Sequence, residues 1–267
     1  MNKKYLLKDM TWVEFSERMQ EDPAILIPLG SVEEQGPMAP MGDFMLTEKV
    51  AELVAQKAES IAVPTTAFGY AEYFRCMPGG IQLRAETFCS LLQDICENFL
   101  DHGLRRLVIL NGHGGNMPLI EQTTYKLKLK HKVWIPSINL WRTITAEKWK
   151  EFHPELGTSA FGHGGDPMTS MYLHLFPKLT RMDLCEPAQR NDVLGLPTTG
   201  LNAVKFKGAD INVPLEVTDI SDNGVIGGNA SVSSAEIGEN IVNYVVDLAA
   251  DFVRYFKDVN PSTDKED

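Results

Sequence analysis

Arg105-Arg-Leu-Val-Ile-Leu-Asn-Gly-His-Gly-Gly-Asn116 is the stretch whose reading decides the fold. Its apolar run is short enough for a buried strand and breaks abruptly into a glycine-rich polar loop. Met117 to Lys130 then reads as a helix. Strand, loop and helix in that order form the repeating unit of a parallel sheet. The alternation continues upstream. Ile25-Leu-Ile-Pro-Leu29 is a buried strand ending at Gly30, and Phe44 to Lys57 carries Val50, Leu53, Val54 and Lys57 at helical spacing. Ile61-Ala-Val63 is a second strand, and Glu86 to His102 is a helix stopped by Gly103. Thr11-Trp-Val-Glu14 is a capping box that opens a helix through Met19. Downstream, Lys132-Val-Trp-Ile-Pro136 reads as a fourth strand. Pro167 to Phe176 begins another helix, and Glu236 to Tyr255 is a long amphipathic one. The expected class is a layered α/β fold with a mostly parallel central sheet flanked by helices. Residues 1–260 are expected to form a single domain, and 261–267 a frayed tail.

The chain has 267 residues, enough to bury a core without disulfide or metal staples. Lys and Arg number 25 against 36 Asp and Glu, a net charge of −11 that repels phosphate backbones and anionic membranes. No nucleic-acid or membrane partner is therefore expected. No apolar run reaches the roughly 18–20 residues of a membrane span, and the opening Met1-Asn-Lys-Lys-Tyr-Leu-Leu-Lys-Asp9 is too polar for a signal peptide. Cys76, Cys89, Cys96 and Cys185 lack paired zinc spacing and read as buried reduced thiols of a cytoplasmic protein.

In an open α/β sheet the ligand lies beyond the carboxyl ends of the strands. Three loops there are rich in chemistry-bearing residues. Gly30 to Asp43 holds Glu33, Glu34 and Asp43, carboxylates that repel one another unless a cation or a donor sits among them. A solvated acidic loop is the plainer account of these three. His113 lies among glycines after a strand, where small neighbours let backbone crowd a ligand. With two carboxylates it would make a Zn²⁺ or Mn²⁺ site with open positions; alone it could equally be structural. His163 lies in Phe161-Gly-His-Gly-Gly-Asp166 and suits proton transfer, with Asp166 placed to orient it. Asp166 also suits a helix cap before Pro167. Neither histidine–glycine loop has the lysine of a Walker loop or the Gly-x-Gly-x-x-Gly spacing, which argues against nucleotide binding.

Taken in order, these segments resemble the creatininase (creatinine amidohydrolase) family. They are Pro28-Leu-Gly-Ser-Val-Glu33, Gly36-Pro37, Pro40, Asp43, Pro78-Gly-Gly-Ile-Gln-Leu83 and Leu107 to Asn116. His163-Gly-Gly165, Thr169-Ser170 and Gly224-Val-Ile-Gly227 with Ser231 complete the order, and the resemblance runs from Ile27 to Gly238. It implies a layered hydrolase fold, a homohexamer, two divalent metals and a small cyclic substrate. It assigns Glu33, Asp43 and His113 to one metal. The family's other metal side departs: Gln35 stands where the family has histidine, and Gly115 and Met168 stand where its members supply glutamates. Phe74 or a neighbour replaces a further histidine, and Gly42-Asp43 is one residue shorter than the family's turn.

Those losses imply one divalent metal, Zn or Mn, held by Glu33, Asp43 and His113. His163 is the expected proton carrier, supported by Glu34 or Asp166. The expected function is metal-dependent hydrolysis of a cyclic amide, or of a cyclic polyol diketone such as 3-dehydro-scyllo-inosose, which would place it in inositol catabolism. The alternative is a non-catalytic member that binds a small metabolite or serves as an assembly subunit.

Overall fold

A computed structural model describes residues 3–264. The chain runs α1 (Trp12–Met19), β1 (Ile25–Leu29), α2 (Phe44–Lys57), β2 (Ile61–Ala62), α3 (Ala85–Asp101), β3 (Leu107–Asn111), α4 (Met117–His131) and β4 (Ser137–Asn139). It continues through α5 (Ala146–Phe152), β5 (Gly162–His163), α6 (Met168–Leu175), β6 (Asp192–Val193), β7 (Leu196–Pro197), β8 (Ala203–Phe206) and β9 (Ala209–Asn212). The last elements are α7 (Val217–Ile220), β10 (Ile226–Gly227) and α8 (Ala235–Lys257).

The central sheet has four strands in the order β2-β1-β3-β4, all parallel. Its core divides by the two-residue period of the strands. Ile25, Ile27, Leu29, Leu107 and Ile109 pack against Phe88, Leu92 and Cys96 of α3 and Ile120 and Leu127 of α4. Leu26, Val108 and Leu110 face Val50 and Val54 of α2, Met171 and Tyr172 of α6, and Ile241, Val245 and Val253 of α8. Being covered on both faces, β1 and Leu107–Leu110 of β3 are apolar runs rather than alternating, and β3 turns polar only at its last residue, Asn111. The Thr11–Glu14 capping box is present at α1. Gly103 follows α3 with φ +82°, a conformation that favours glycine. Among the described residues no helix is long and apolar enough to cross a membrane.

Three expectations need correction. Of the four cysteines only Cys96 of α3 is buried; Cys89 and Cys185 are half-buried and Cys76 is exposed. The fourth strand is not Lys132–Pro136 but β4, Ser137–Asn139. Lys132 ends α4 in the left-handed region, with φ 53°. Sheet pairing starts only where Ile109 donates to the Pro136 carbonyl at 2.9 Å. The buried Val133 and Ile135 thus form the approach to the strand, not the strand itself. The start of the expected frayed tail is also paired. Trp134 donates to the Pro261 carbonyl at 2.8 Å and Thr263 to that of Lys132 at 3.0 Å, which docks this segment on the α4–β4 connection. Residues 265–267 of that tail lie outside the described residues.

Candidate metal and catalytic site

The carboxyl ends of β1, β3 and β4 open on one cavity of about 640 Å³, as the rule for parallel sheets requires. Glu33 and Asp43 reach it from the loop after β1, His113 from the loop after β3, and Trp141 from the turn after β4. The Gly30–Asp43 loop is pinned at its far end. Gly42 donates to the Glu33 carbonyl at 2.6 Å, and the Tyr172 hydroxyl donates to the Gly42 carbonyl at 2.6 Å. A Cβ at Gly42 would lie 2.1 Å from the Ser31 carbonyl oxygen, so only glycine passes there. Asp43 accepts from Ser31 N at 2.7 Å through Oδ1 and from Ser31 Oγ at 3.1 Å through Oδ2. The shortened turn therefore still delivers Asp43 to the site.

His113 is held by two asparagines that flank its glycines. Asn111 accepts from His113 N at 3.2 Å and donates to the His113 carbonyl at 2.7 Å. Asn116 donates to the Gly30 carbonyl at 3.2 Å and accepts from Tyr70 N at 2.9 Å, tying this loop to the neighbouring one. His113 Nε2 lies 2.9 Å from the Tyr70 carbonyl, which can only accept, so Nε2 carries hydrogen. Nδ1 is then turned to Asp43 Oδ2 at 3.1 Å and Glu33 Oε1 at 3.2 Å.

Glu33, Asp43 and His113 are all buried, and one ligand atom from each lies within 4.8 Å of the others. Burial lifts the Asp43 carboxyl to about 6, against the pull of the His113 ring. Burial disfavours a charged His113, but Glu33 and Asp43 outweigh it and raise the ring well above its usual value. Glu33 Oε2 is buried without a hydrogen-bond partner. Two buried carboxylates and an imidazole packed together, with one buried oxygen left over, fit a divalent cation by the chemistry of their donor set.

None of the four residues that stand where the resemblance implies further metal ligands is charged. Gln35 donates to Glu33 Oε1 at 2.9 Å. A Cβ at Gly115 would lie 2.2 Å from the Tyr70 carbonyl oxygen and 2.6 Å from His113 Nε2. Met168 lines the same cavity. Phe74 stacks on His163 with ring centroids 4.3 Å apart.

His163 lies in β5, which β10 holds by pairing His163 with Ile226. Its Nε2 lies 2.7 Å from Glu34 Oε1, while Glu34 Oε2 accepts from Gly36 N at 2.7 Å. Burial works against protonation of His163, but the Glu34 charge raises its pKa above the ordinary value. His163 lines the cavity, whereas Glu34 and Asp166 do not.

The expected pairing of Asp166 with His163 is therefore corrected. Asp166 Oδ2 lies 2.8 Å from His153 Nε2 and accepts from Ser170 Oγ at 2.7 Å. Asp166 Oδ1 accepts from Ser170 N at 3.0 Å and Ser233 Oγ at 2.6 Å. The carboxylate thus serves the first turn of α6 and a buried histidine that carried no expectation. Asp166 does not line the cavity, and four donors hold its carboxylate where it is. Asn111, Asn116, Tyr70 and His153 were the positioning residues not singled out from sequence. Only the two asparagines carried a signal, their symmetry about the His113 glycines.

A family model described as creatinine amidohydrolase matches residues 8–253. A 3-dehydro-scyllo-inosose hydrolase of Thermotoga maritima is 29% identical, covering 92% of this chain and 81% of its own. A creatinine amidohydrolase of Pseudomonas putida is 28% identical over 68% of this chain and 76% of its own. The solved structure of a manganese creatininase superposes with a TM-score of 0.77 at 25% identity, covering 95% of this chain and 98% of that one.

Proposed function

The chain belongs to the creatininase family of hydrolases, and from that premise we propose that it hydrolyses a small cyclic substrate with one divalent metal, Zn²⁺ or Mn²⁺. The observation that carries this reading is the Glu33–Asp43–His113 cluster with its unpartnered Glu33 oxygen. Gln35, Gly115, Met168 and Phe74 line the same cavity without offering a second set of charged ligands. A bound ion would supply Lewis acidity to a substrate carbonyl or to a water. His163 holds a proton on the cavity wall. Glu34 engages its Nε2, so Nδ1 is the ring atom left to pass that proton to a leaving group. Phe74 keeps water from one face of the ring by stacking on it. Tyr70, Tyr73 and Trp141 give the cavity aromatic walls suited to a compact ring.

A cyclic amide and a cyclic polyol diketone are equally compatible with these walls, and the two named relatives act on one of each kind. The family resemblance supports a homohexamer. The free cysteines among the described residues support a cytoplasmic location. A non-catalytic role is favoured by one observation only: the Gln35 amide already occupies Glu33 Oε1.

Metal analysis of protein purified without chelator separates these readings. We expect close to one Zn²⁺ or Mn²⁺ per chain, lost in His113→Ala. Two tightly held ions would overturn the one-metal reading, and none would favour the non-catalytic one.

A further inference from the structure

Arg142 and Arg190 both line the cavity. They come from separate parts of the chain, Arg142 from the turn after β4 and Arg190 from just before β6. Both side chains are exposed, whereas Glu33, Asp43 and His113 are buried, so the arginines stand toward solvent and the metal cluster lies deeper. Most arginines of this acidic chain are matched to carboxylates. Arg18, Arg75, Arg106, Arg181 and Arg254 each pair with Asp or Glu. Among the described residues Arg84, Arg105, Arg142 and Arg190 have no such partner, and of these four Arg142 and Arg190 line the cavity.

Their placement is built rather than incidental. Trp141 donates its indole N–H to the Gly112 carbonyl. Leu140 is fully buried, and the Tyr244 hydroxyl donates to the Thr143 carbonyl at 3.1 Å. The backbone on both sides of Arg142 is thus anchored, and its guanidinium is the group left over. Arg190 gives Nη1 to the Thr198 carbonyl at 2.8 Å, which steadies the side chain and leaves the rest of its fork available. A guanidinium fork matches the paired oxygens of a carboxylate or phosphate. A molecule of charge −11 repels such anions at long range, so local positive charge at the opening is what would admit one.

We propose that the substrate carries an oxyanion group, carboxylate or phosphate, which Arg142 and Arg190 bind while its reacting end lies at the Glu33–Asp43–His113 cluster. This rests on reading the cavity as the reaction site. It narrows the substrate class to anionic small molecules, a property for which Arg142 and Arg190 are the specificity determinants.

The test is calorimetric binding at low ionic strength to the protein as purified, with matched probes that differ by one anionic group. Pyrrolidone is compared with pyroglutamate, and phenol with phenyl phosphate. In at least one pair the anionic member should bind tenfold tighter or more, the scale of hydrogen bonds to charged groups. The pair that shows it distinguishes carboxylate from phosphate. A carboxylate could also ligate the metal, so the arginine variants decide. Arg142→Met and Arg190→Met should each reduce the preference several-fold, and the double variant should abolish it, with metal content and binding of the neutral probe unchanged. Arg142→Lys should fall between, since it keeps the charge and loses the fork. No anion preference in either pair would overturn the proposal, as would a preference that survives in the double variant. A chain that holds no metal but shows the arginine-dependent preference would sink the hydrolase reading and leave this one standing.

Discussion

At His163 two contacts decide what the ring can do: Glu34 on Nε2 and Phe74 against its face. The carboxylate keeps the ring protonated above its ordinary value although burial opposes it. His163→Ala should lower turnover by about 10²–10⁴-fold and leave metal content intact, because the cluster of Glu33, Asp43 and His113 does not include it. Loss of metal in that variant would make His163 a ligand and require a different site. Glu34→Gln removes the charge that raises the ring. If His163 acts as an acid, activity falls as pH rises through its pKa, so the alkaline limb of the pH–rate profile should move to lower pH. The ion pair also contributes stability below the unfolded value of about 6.5, and that contribution fades as pH rises through the raised folded value. At Gly115 a methyl group would strike the Tyr70 carbonyl that accepts from His113. Gly115→Ala should therefore lower stability by about 1–3 kcal/mol and weaken metal retention. Thermal unfolding and metal analysis measure the two effects.

At the scale of elements, α6 shows how one carboxylate can order a site without touching it. Asp166 collects donors from Ser170 in α6, Ser233 before α8 and His153 at the end of α5. These contacts fix the base of the loop from which His163 extends. Asp166→Ala should strand several buried polar groups at about 1–3 kcal/mol each, appearing as a lower unfolding midpoint. Turnover, measured well below that midpoint, should fall less than in His163→Ala. An equal fall in both would return Asp166 to a direct part in catalysis. Helix α8 acts differently, by burying one continuous stripe from Ile241 to Phe256 beside the sheet. Ile241→Ala should cost about 2–5 kcal/mol, with the metal cluster unaffected at temperatures where the chain stays folded.

For the whole molecule, the two short hairpins β6–β7 and β8–β9 stand apart from the central sheet. Leu194 at the tip of one is 77% exposed, and every residue of β9 is exposed. The family resemblance leads to a closed homohexamer, the kind of symmetric assembly that soluble chains commonly form. Light scattering should give six times the protomer mass, and a mass that stays monomeric across concentrations would overturn the expectation.

Much of this protein was legible in the order of its residues. Burial on both faces turns β1 and β3 into apolar runs, and helices α2, α3 and α8 follow from period and caps, because these are local or two-sided constraints that each segment expresses by itself. Parallel strands must deliver their following loops to one edge, which made His113 and the carboxylates of the Gly30–Asp43 loop candidates together, while the choice of Glu33 and Asp43 as partners of His113 came from the family resemblance. Other features depend on which distant segments meet. The start of β4 was misplaced because Val133 and Ile135 are as apolar as strand residues, and only the Ile109–Pro136 bond shows where pairing begins. The partner of His163 is 129 residues away at Glu34, while Asp166, three residues along, is drawn to His153. Proximity in sequence favours pairing His163 with Asp166. The tertiary fold gives His163 to Glu34 and Asp166 to His153, because buried carboxylates and imidazoles settle with whichever partner the packing places within hydrogen-bond reach.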